Sequence, residues 1–330
     1  MNEFDIKCNK YKSLIEDTLR CIIRNGEPGG LYNPIKYVID GGGKRIRPVL
    51  VMLSSEALGG DPIKALPAAT ALEILHNFTL VHDDIMDNAD TRRGRETIHR
   101  KWDYDTALLA GDGLIGIAYR TLFETDSDNL TRIAKIFTEG IIEICEGQSY
   151  DKEYETKRNV TIEEYIMMIT KKTSVLLETC AMTGGLIANG SEDEIEILRQ
   201  FGLNLGLAFQ IQDDLLDIIA DEKIFGKKTG GDLVEGKKTF LLLKALEIAD
   251  KEEDRKILEQ IISDKGIKEN HEIKINEIKS VYKKYDIIET AKREIERYTC
   301  ASENTIEKIK SAKGRELLHC FSRMLLSRTY

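Results

Sequence analysis

The most informative feature of the chain is the pattern Asp-Asp-x-x-Asp, which occurs twice, at Asp83 to Asp87 and at Asp213 to Asp217. Both copies lie in apolar sequence of helical period, where three carboxylates in five residues are rarely tolerated without positive partners. The first and last positions of each copy share one helix face, whereas the middle Asp is rotated by about 100°. We predict that the pairs Asp83/Asp87 and Asp213/Asp217 bind metal ions.

These carboxylates also indicate the kind of substrate. A solvated acidic surface is the usual alternative for a run of charges, but both motifs have large apolar neighbours, among them Phe78, Ile85, Phe209 and Leu215. Carboxylate pairs suit Mg²⁺, which prefers oxygen ligands and usually keeps only one or two protein carboxylates while substrate phosphates fill other positions. The acidic motifs therefore predict a phosphorylated substrate.

Basic residues flanked by Gly or Thr could bind those phosphates. Each such group alone is most simply explained as solvated surface, since exposed charge is the usual state of Lys and Arg. Their position after both acidic motifs favours a binding role instead. The segments are 42–48, 92–94, 171–173, and 226–232 continuing to 236–239.

The apolar pattern predicts a helical protein. Five prolines in 330 residues, no useful β alternation, and many apolar sets at i, i+3, i+4 and i+7 are typical of α-helices. We expect an all-α fold with ten or more helices in a single large bundle around a central cavity. No break has the composition of a linker, so we expect one domain over residues 1–330. Facing helices would place the two acidic motifs around that cavity.

Composition and charge argue against several other classes of function. The net charge of −9 gives no general attraction to nucleic acid or to anionic lipids. Six cysteines without C-x-x-C spacing indicate reduced, mostly structural thiols. No run of about 18 apolar residues and no basic-then-apolar N-terminal segment is present. We therefore expect a soluble, cytoplasmic protein without an integral membrane segment.

Together these motifs resemble those of the trans-isoprenyl diphosphate synthases (polyprenyl synthetases), the family that includes farnesyl and geranylgeranyl diphosphate synthases. The resemblance runs from about Tyr37 to Phe240 in motif order, and we expect it to extend over the whole chain. The matching pieces are segment 42–48, His76, segments 83–87, 92–94 and 110–112, Gly147-Gln148 with Asp151, Lys172-Thr173, segment 209–217, and segment 226–237.

The resemblance implies a head-to-tail condensation, in which an allylic diphosphate (dimethylallyl, geranyl or farnesyl) ionises and isopentenyl diphosphate attacks the resulting cation. It also implies a homodimer and two or three Mg²⁺ ions held by the four Asp residues of the metal pairs. The residues implied around the allylic diphosphate are Arg92, Lys172, Gln210, Lys227 and Lys237. Those implied around isopentenyl diphosphate are Lys44, Arg47, His76 and Arg93. Thr173 is expected to line the reacting centre, where its oxygen can stabilise the cation.

Elementary chemistry agrees with these roles. Negative charge builds on the leaving oxygen of the diphosphate, and Mg²⁺ with Lys and Arg stabilises that charge as a preorganised clamp. No protein nucleophile is required, because the released diphosphate can itself take the final proton. The lack of a Ser-His-Asp or Cys-His signature fits this chemistry and argues against a hydrolase.

The length of the product should depend on residues just before the first acidic motif. Phe78 and Thr79 are the fifth and fourth residues before Asp83. In the family that the chain resembles, a bulky residue at the fifth position is typical of short-chain synthases with C15 or C20 products. Phe78 as ordinary core filler is the alternative. The sequence leaves C15 and C20 open, and Thr79 in place of a second aromatic favours C20.

Two other functions stay open at this point. A class I terpene cyclase shares the implied fold, but it needs no isopentenyl diphosphate site and carries a different second metal motif. A non-catalytic helical subunit of a heteromeric prenyl synthase would be expected to have lost site residues, and none of the expected ones is missing from the sequence.

Overall fold

The computed structural model describes residues 2–23, 26–220, 229–263 and 266–327, and within them the chain is almost entirely helical. The first ten α-helices are α1 (Glu3–Ile22), α2 (Gly29–Ile39), α3 (Ile46–Ala57), α4 (Leu66–Met86), α5 (Ile98–Lys101), α6 (Tyr104–Leu122), α7 (Leu130–Thr156), α8 (Ile162–Ile169), α9 (Val175–Ile187) and α10 (Glu192–Ile219). Those that follow are α11 (Gly231–Glu235), α12 (Phe240–Ile248), α13 (Glu252–Ser263), α14 (His271–Lys284), α15 (Ile287–Ile306) and α16 (Ala312–Leu326). A π-helix (Thr170–Ser174) joins α8 to α9. The predicted all-α fold with ten or more helices is confirmed.

Between α4 and α5 the chain forms a short hairpin that the apolar pattern does not predict. Its strands are β1 (Thr91–Arg92) and β2 (Arg95–Glu96), which pair antiparallel. The turn residues Arg93 and Gly94 both have positive φ, 54° and 73°, as a tight two-residue hairpin turn requires. The hairpin fixes the arginines that follow the first acidic motif.

Two compact units can be distinguished in the chain. The first comprises residues Met1–Phe137, Cys180–Leu198 and Ile309–Cys320. In it, α4 packs against α6 and α3, and α4 is buried almost continuously from Ala68 to Leu75. Pro67 lies in the first turn of α4, where its missing N–H costs no helical hydrogen bond. This buried helix carries the first acidic motif at its far end.

The second unit comprises residues Thr138–Thr179, Arg199–Lys308 and Phe321–Tyr330. Its core joins apolar residues of α8, α10 and α12 to those of α14 and α15, including Leu215, Leu241 and Tyr282. Helices α13 to α15, which are rich in Lys and Glu, carry thin apolar stripes. Those stripes are buried in this core, as Ile278 and Ile287 illustrate, while the charged faces stay exposed.

None of the helices described here is both long enough and apolar enough to cross a membrane. The expectation of one domain over residues 1–330 stays a prediction, as does the cavity bordered by both acidic motifs.

Candidate active site

The first acidic motif occupies the last turn of α4. The helix ends at Met86, with Asp87 as its C-cap, because Asn88 follows with a positive φ of 50°. The amide of Asp87 donates to the carbonyl oxygen of Asp83 at 2.8 Å. The two carboxylates are therefore one helical turn apart, as the spacing predicts, with Asp83 half-buried and Asp87 exposed.

The middle residue of this motif, Asp84, has a different partner. Its side chain is buried, and Oδ1 accepts a hydrogen bond from Nε of Arg92 at 2.6 Å. Burial raises the pKa of the Asp84 carboxyl, and the charge of Arg92 opposes that rise. Asp84 therefore attaches the hairpin to α4 and orients Arg92, one of the predicted diphosphate ligands.

In the second acidic motif, the middle residue again makes structural contacts. Asp214 is buried, and its Oδ2 accepts from the hydroxyl of Tyr165 at 2.6 Å and from the amide of Phe240 at 3.0 Å. Nε2 of Gln210 donates to Oδ1 at 3.1 Å. Burial raises the pKa of Asp214 to about 6 although these hydrogen bonds lower it. Asp214 thus ties α8, α10 and the start of α12 together.

The outer residues of the second motif are more accessible. Asp213 is exposed and Asp217 is half-buried. Oδ2 of Asp217 accepts from the amide of Asp232 at 3.1 Å, and burial raises the pKa of the Asp217 carboxyl. Lys237, a predicted diphosphate ligand, is exposed, with Nζ 2.7 Å from a carboxylate oxygen of Glu235 and 3.7 Å from Asp232. Burial, with Asp214 and Asp217 nearby, raises the pKa of Asp232 to about 8.

Both acidic motifs lie near the C-terminal end of a helix. There the aligned peptide dipoles give a partial negative charge, which favours cations and disfavours carboxylates. Stability alone would not place Asp83, Asp87, Asp213 and Asp217 at such ends. Among the described residues, no group of three or more His, Cys, Asp or Glu side chains is gathered so as to hold a metal. Each motif offers two accessible carboxylates, and this donor set fits a hard divalent cation that completes its shell with phosphate oxygens.

A basic cluster lies in the first unit, beside α4. It consists of His76 and the arginines around it, Arg45, Arg47, Arg92 and Arg93. Nη1 of Arg47 donates to Nε2 of His76 at 3.1 Å, so that nitrogen carries no proton. Burial and the charges of Arg47, Arg93 and Arg92 lower the pKa of His76 well below its usual value. Lys44, three residues before Arg47 in the chain, is exposed to solvent. Neutral His76 can therefore donate only through its other nitrogen, while the arginines supply the charge that attracts a phosphate.

The π-helix carries the predicted residues Lys172 and Thr173. Nζ of Lys172 lies 2.5 Å from Asp151, and the hydroxyl of Thr173 donates to Oε1 of Gln210 at 2.9 Å. Two glycines make room for this wider turn. A Cβ at Gly147 on α7 would lie 2.3 Å from the amide nitrogen of Lys172, and one at Gly206 on α10 would lie 2.5 Å from Cα of Ser174. Isolated π-turns inside helices occur often at functional sites.

Phe78 and Thr79, the predicted product-length residues, lie on α4 before the acidic turn. Phe78 is buried, and its ring meets that of His82 edge-on with centroids 4.6 Å apart. His82 in turn lies against Gly111 of α6, where a Cβ would be 2.1 Å from Nε2 of His82. The ring of Phe78 is thus held from one side by a packed neighbour.

Sequence reasoning missed several contributors to this site. Tyr165 and Asp232 give no local signal, because only the fold brings them to the second acidic motif. Glu73, paired with Arg45 at 2.7 Å, could have been found as an acid inside the apolar run 68–75. The predicted ligand Lys227 lies outside the described residues.

Comparison with known proteins identifies the family. The family model described as polyprenyl synthetase matches residues 29–281, which is more than half of the chain. The chain belongs to the polyprenyl synthetase family. This confirms the resemblance that the motifs carry and the enzyme class that it implies: this polyprenyl synthetase is a prenyltransferase acting on isopentenyl and allylic diphosphates.

Individual relatives of this polyprenyl synthetase match over nearly their whole length. A short-chain isoprenyl diphosphate synthase of Methanothermobacter thermautotrophicus is 37% identical over 322 residues, covering 97% of each chain. The crystal structure of geranylgeranyl pyrophosphate synthetase from Pyrococcus horikoshii superposes with a TM-score of 0.93 at 36% identity, covering 99% of this chain and 100% of that one. A polyprenyl synthase from Caulobacter crescentus, solved with calcium and isoprenyl diphosphate, has a TM-score of 0.86 at 25% identity, covering 99% and 96%. Divalent cations are typical of this family.

Proposed function

We propose that this prenyltransferase is a geranylgeranyl diphosphate synthase, which extends allylic diphosphates with isopentenyl diphosphate up to a C20 product. One observation carries the proposal. His76 and the acidic turn from Asp83 to Asp87 lie on the same helix, seven positions apart, which is about 10 Å along the axis. A condensation of two diphosphates needs one binding site for each, close together. Helix α4 carries the carboxylates of the metal-type site, and Arg47 of α3 contacts the same helix at His76 and contributes to a guanidinium site at that spacing.

Each group has a defined task in this proposal. Asp83, Asp87, Asp213 and Asp217 would hold Mg²⁺, which when bound neutralises the charge that develops on the departing diphosphate. Lys172, Arg92, Gln210, Lys237 and Lys227 bind and orient the allylic diphosphate. Lys44, Arg47, His76 and Arg93 hold isopentenyl diphosphate so that its double bond faces the allylic carbon. The hydroxyl of Thr173 is fixed by Gln210 and presents its oxygen lone pairs to the allylic cation.

The decisive experiment is product analysis with purified protein. It is incubated with isopentenyl diphosphate and dimethylallyl, geranyl or farnesyl diphosphate, and the dephosphorylated products are separated by chromatography. We expect geranylgeraniol from every primer with Mg²⁺, and no prenyl alcohol beyond hydrolysed primer when EDTA removes the metal. A C15 or C25 end product would correct the chain length. No condensation from any primer, with helical circular dichroism intact, would favour the non-catalytic subunit.

Replacing Phe78 tests the product-length assignment. Phe78 is buried on α4 next to the acidic turn, and Phe78→Ala removes a whole phenyl ring from that position. We expect the main product to lengthen from C20 to C25 or beyond, because the freed space admits at least one more isoprene unit. Product chromatography with farnesyl diphosphate as primer measures the shift.

Phe123→Ala is the matched control for Phe78→Ala. Phe123 follows α6 and is 59% exposed, so the same substitution there should leave the product at C20. A Phe78→Ala enzyme that still stops at C20 would show that the ring does not limit the growing chain.

The proposal includes a homodimer. Helix α6 exposes large apolar side chains, Leu108 at 51% and Leu109 at 60%, and exposed apolar groups of this size are commonly covered in an assembly. Light scattering after gel filtration should give twice the chain mass of 37.4 kDa. A monomeric mass at micromolar concentration would contradict this part.

A further inference from the structure

A buried ion pair holds the loop between α2 and α3 (residues 40–45), which carries Lys44 and leads into Arg47. Arg45 and Glu73 are only 4% and 2% exposed, and Nη1 of Arg45 lies 2.7 Å from Oε1 of Glu73. Arg and Glu are almost never buried this completely without a partner. The pair therefore neutralises one arginine of the basic cluster.

Arg45 also connects this loop to two other helices. Its Nη2 donates to the carbonyl oxygen of Ile39, the last residue of α2, at 3.1 Å. Its Nε lies 3.9 Å from a carboxylate oxygen of Glu16 on α1. On α4, the side-chain amide of Asn77 donates to the backbone carbonyl oxygen of Glu73 at 2.8 Å and lies 3.5 Å from the Glu73 carboxylate oxygen Oε1. One guanidinium thus sets the distance between the loop and three helices.

The loop backbone depends on these contacts. The backbone of Arg45 is in the left-handed region, with φ 54° and ψ 34°. Residues other than glycine rarely adopt this conformation, so the surrounding structure must hold it. Gly42 and Gly43 before it also have positive φ, 71° and 156°. Arg93 donates to the carbonyl oxygen of Gly42, and a Cβ at Gly43 would lie 3.1 Å from the Arg93 guanidinium. Displacing Arg45 would therefore move Lys44 and Arg93 together.

Glu73 acts on the cluster through its charge as well. Burial lowers the pKa of the Arg93 guanidinium, the negative charge of Glu73 opposes this, and the neighbouring Arg45 and Arg47 lower it further. Arg groups packed this closely repel one another, and a buried carboxylate among them offsets part of that repulsion.

We propose that Arg45 and Glu73 are positioning residues of the isopentenyl diphosphate site. The pair fixes the loop that carries Lys44 and that accepts a hydrogen bond from Arg93. Neither residue of the pair touches the substrate itself. This inference rests on the proposed function, since it assigns the basic cluster to that diphosphate. It predicts selective damage to one of the two substrate sites.

The test is a comparison of the two substrates in Glu73→Gln and Arg45→Lys. Gln keeps the size of Glu73 but leaves Arg45 without an opposite charge. Lys keeps the charge of Arg45 but lacks the planar fork that reaches Glu73 and Ile39 together. We expect both variants to raise the KM for isopentenyl diphosphate, and its Kd by calorimetry, at least tenfold. The KM for the allylic diphosphate should stay within about twofold, because Arg92, the predicted allylic ligand in the same unit, is held by Asp84.

Glu56→Gln is the matched control. Glu56 also belongs to an ion pair in the first unit, with Lys7 at 2.5 Å, and accepts from Tyr11 at 2.6 Å. It joins α1 to α3 away from the loop, so its loss should lower the melting temperature without changing either KM.

Each outcome decides something. An unchanged isopentenyl diphosphate KM and Kd in Arg45→Lys overturns the inference, as does an equal rise in both substrate constants. If Glu73→Gln does not fold, Arg45→Lys alone decides. A wild-type enzyme that binds isopentenyl diphosphate but catalyses no condensation would contradict the proposed function, whereas the calorimetric comparison would still test the pair.

Discussion

Asp213→Asn should abolish nearly all prenyl transfer while the fold stays intact. Asp213 is exposed near the C-terminal end of α10, so Asn should cost little stability there, because it removes a negative charge that is unfavourable at a helix C-terminus. Losing one negative ligand should weaken metal and diphosphate binding together. We expect kcat/KM for the allylic substrate to fall at least about a thousandfold, equivalent to about 4 kcal/mol of transition-state stabilisation. Asp83→Asn should behave alike.

The control for this change lies on the same helix. Asp193 is exposed in the first turn of α10, so Asp193→Asn makes the same chemical change and the same shift in net charge. It should cost about 0.3–1 kcal/mol of stability, because an acid at a helix N-terminus is favourable, and it should leave kcat/KM unchanged. If Asp213→Asn kept more than a tenth of wild-type activity, the metal assignment would be wrong.

Gly147→Ala and Gly206→Ala should each reduce kcat about a hundredfold, because a misplacement of about 1 Å at a reacting centre has effects of that size. The added Cβ would strike the backbone of Lys172 or of Ser174, and neither neighbour is a flexible side-chain end that can move aside. The π-helix would have to shift or convert to an α-helix, which moves Lys172 and Thr173. Single-turnover rates at saturating substrates measure the effect.

Gly116→Ala provides the comparison for both glycines. Gly116 lies in α6, where an added Cβ meets no atom within 4 Å. In a helix interior, Ala is favoured over Gly by about 0.5–1 kcal/mol, so this variant should be slightly more stable and fully active. Wild-type kcat in Gly147→Ala would mean that the shape of the π-helix does not matter for catalysis.

Local spacing explains how much of the site could be predicted. The outer carboxylates of each motif share a helix face because four residues make about one turn, and the structure has Asp83 and Asp87 in that relation at the end of α4. His76 lies on the same helix, seven positions before Asp83, which is about two turns. These relations need only the geometry of a single helix.

The structural roles of other residues depend on contacts between distant segments. Asp84 and Asp214 occupy equivalent motif positions, yet one pairs with Arg92 and the other binds Tyr165 and the first amide of α12. The wider turn at Thr170–Ser174 likewise has no sequence signal of its own, because Gly147 and Gly206 create the room for it from two other helices.

By itself, therefore, the sequence determined the helical class, the paired metal-type carboxylates, the basic segments and the family, because residue type, local spacing and the order of the motifs along the chain suffice for these. Only the tertiary structure decided that the middle Asp residues are buried and hydrogen-bonded to other segments, that Arg45 is neutralised by Glu73 while Arg47 is bonded to His76, and that a π-helix carries Lys172 and Thr173. Burial and hydrogen-bond partners are set by packing between residues far apart in the chain, and the energies of those contacts are absent from any local pattern.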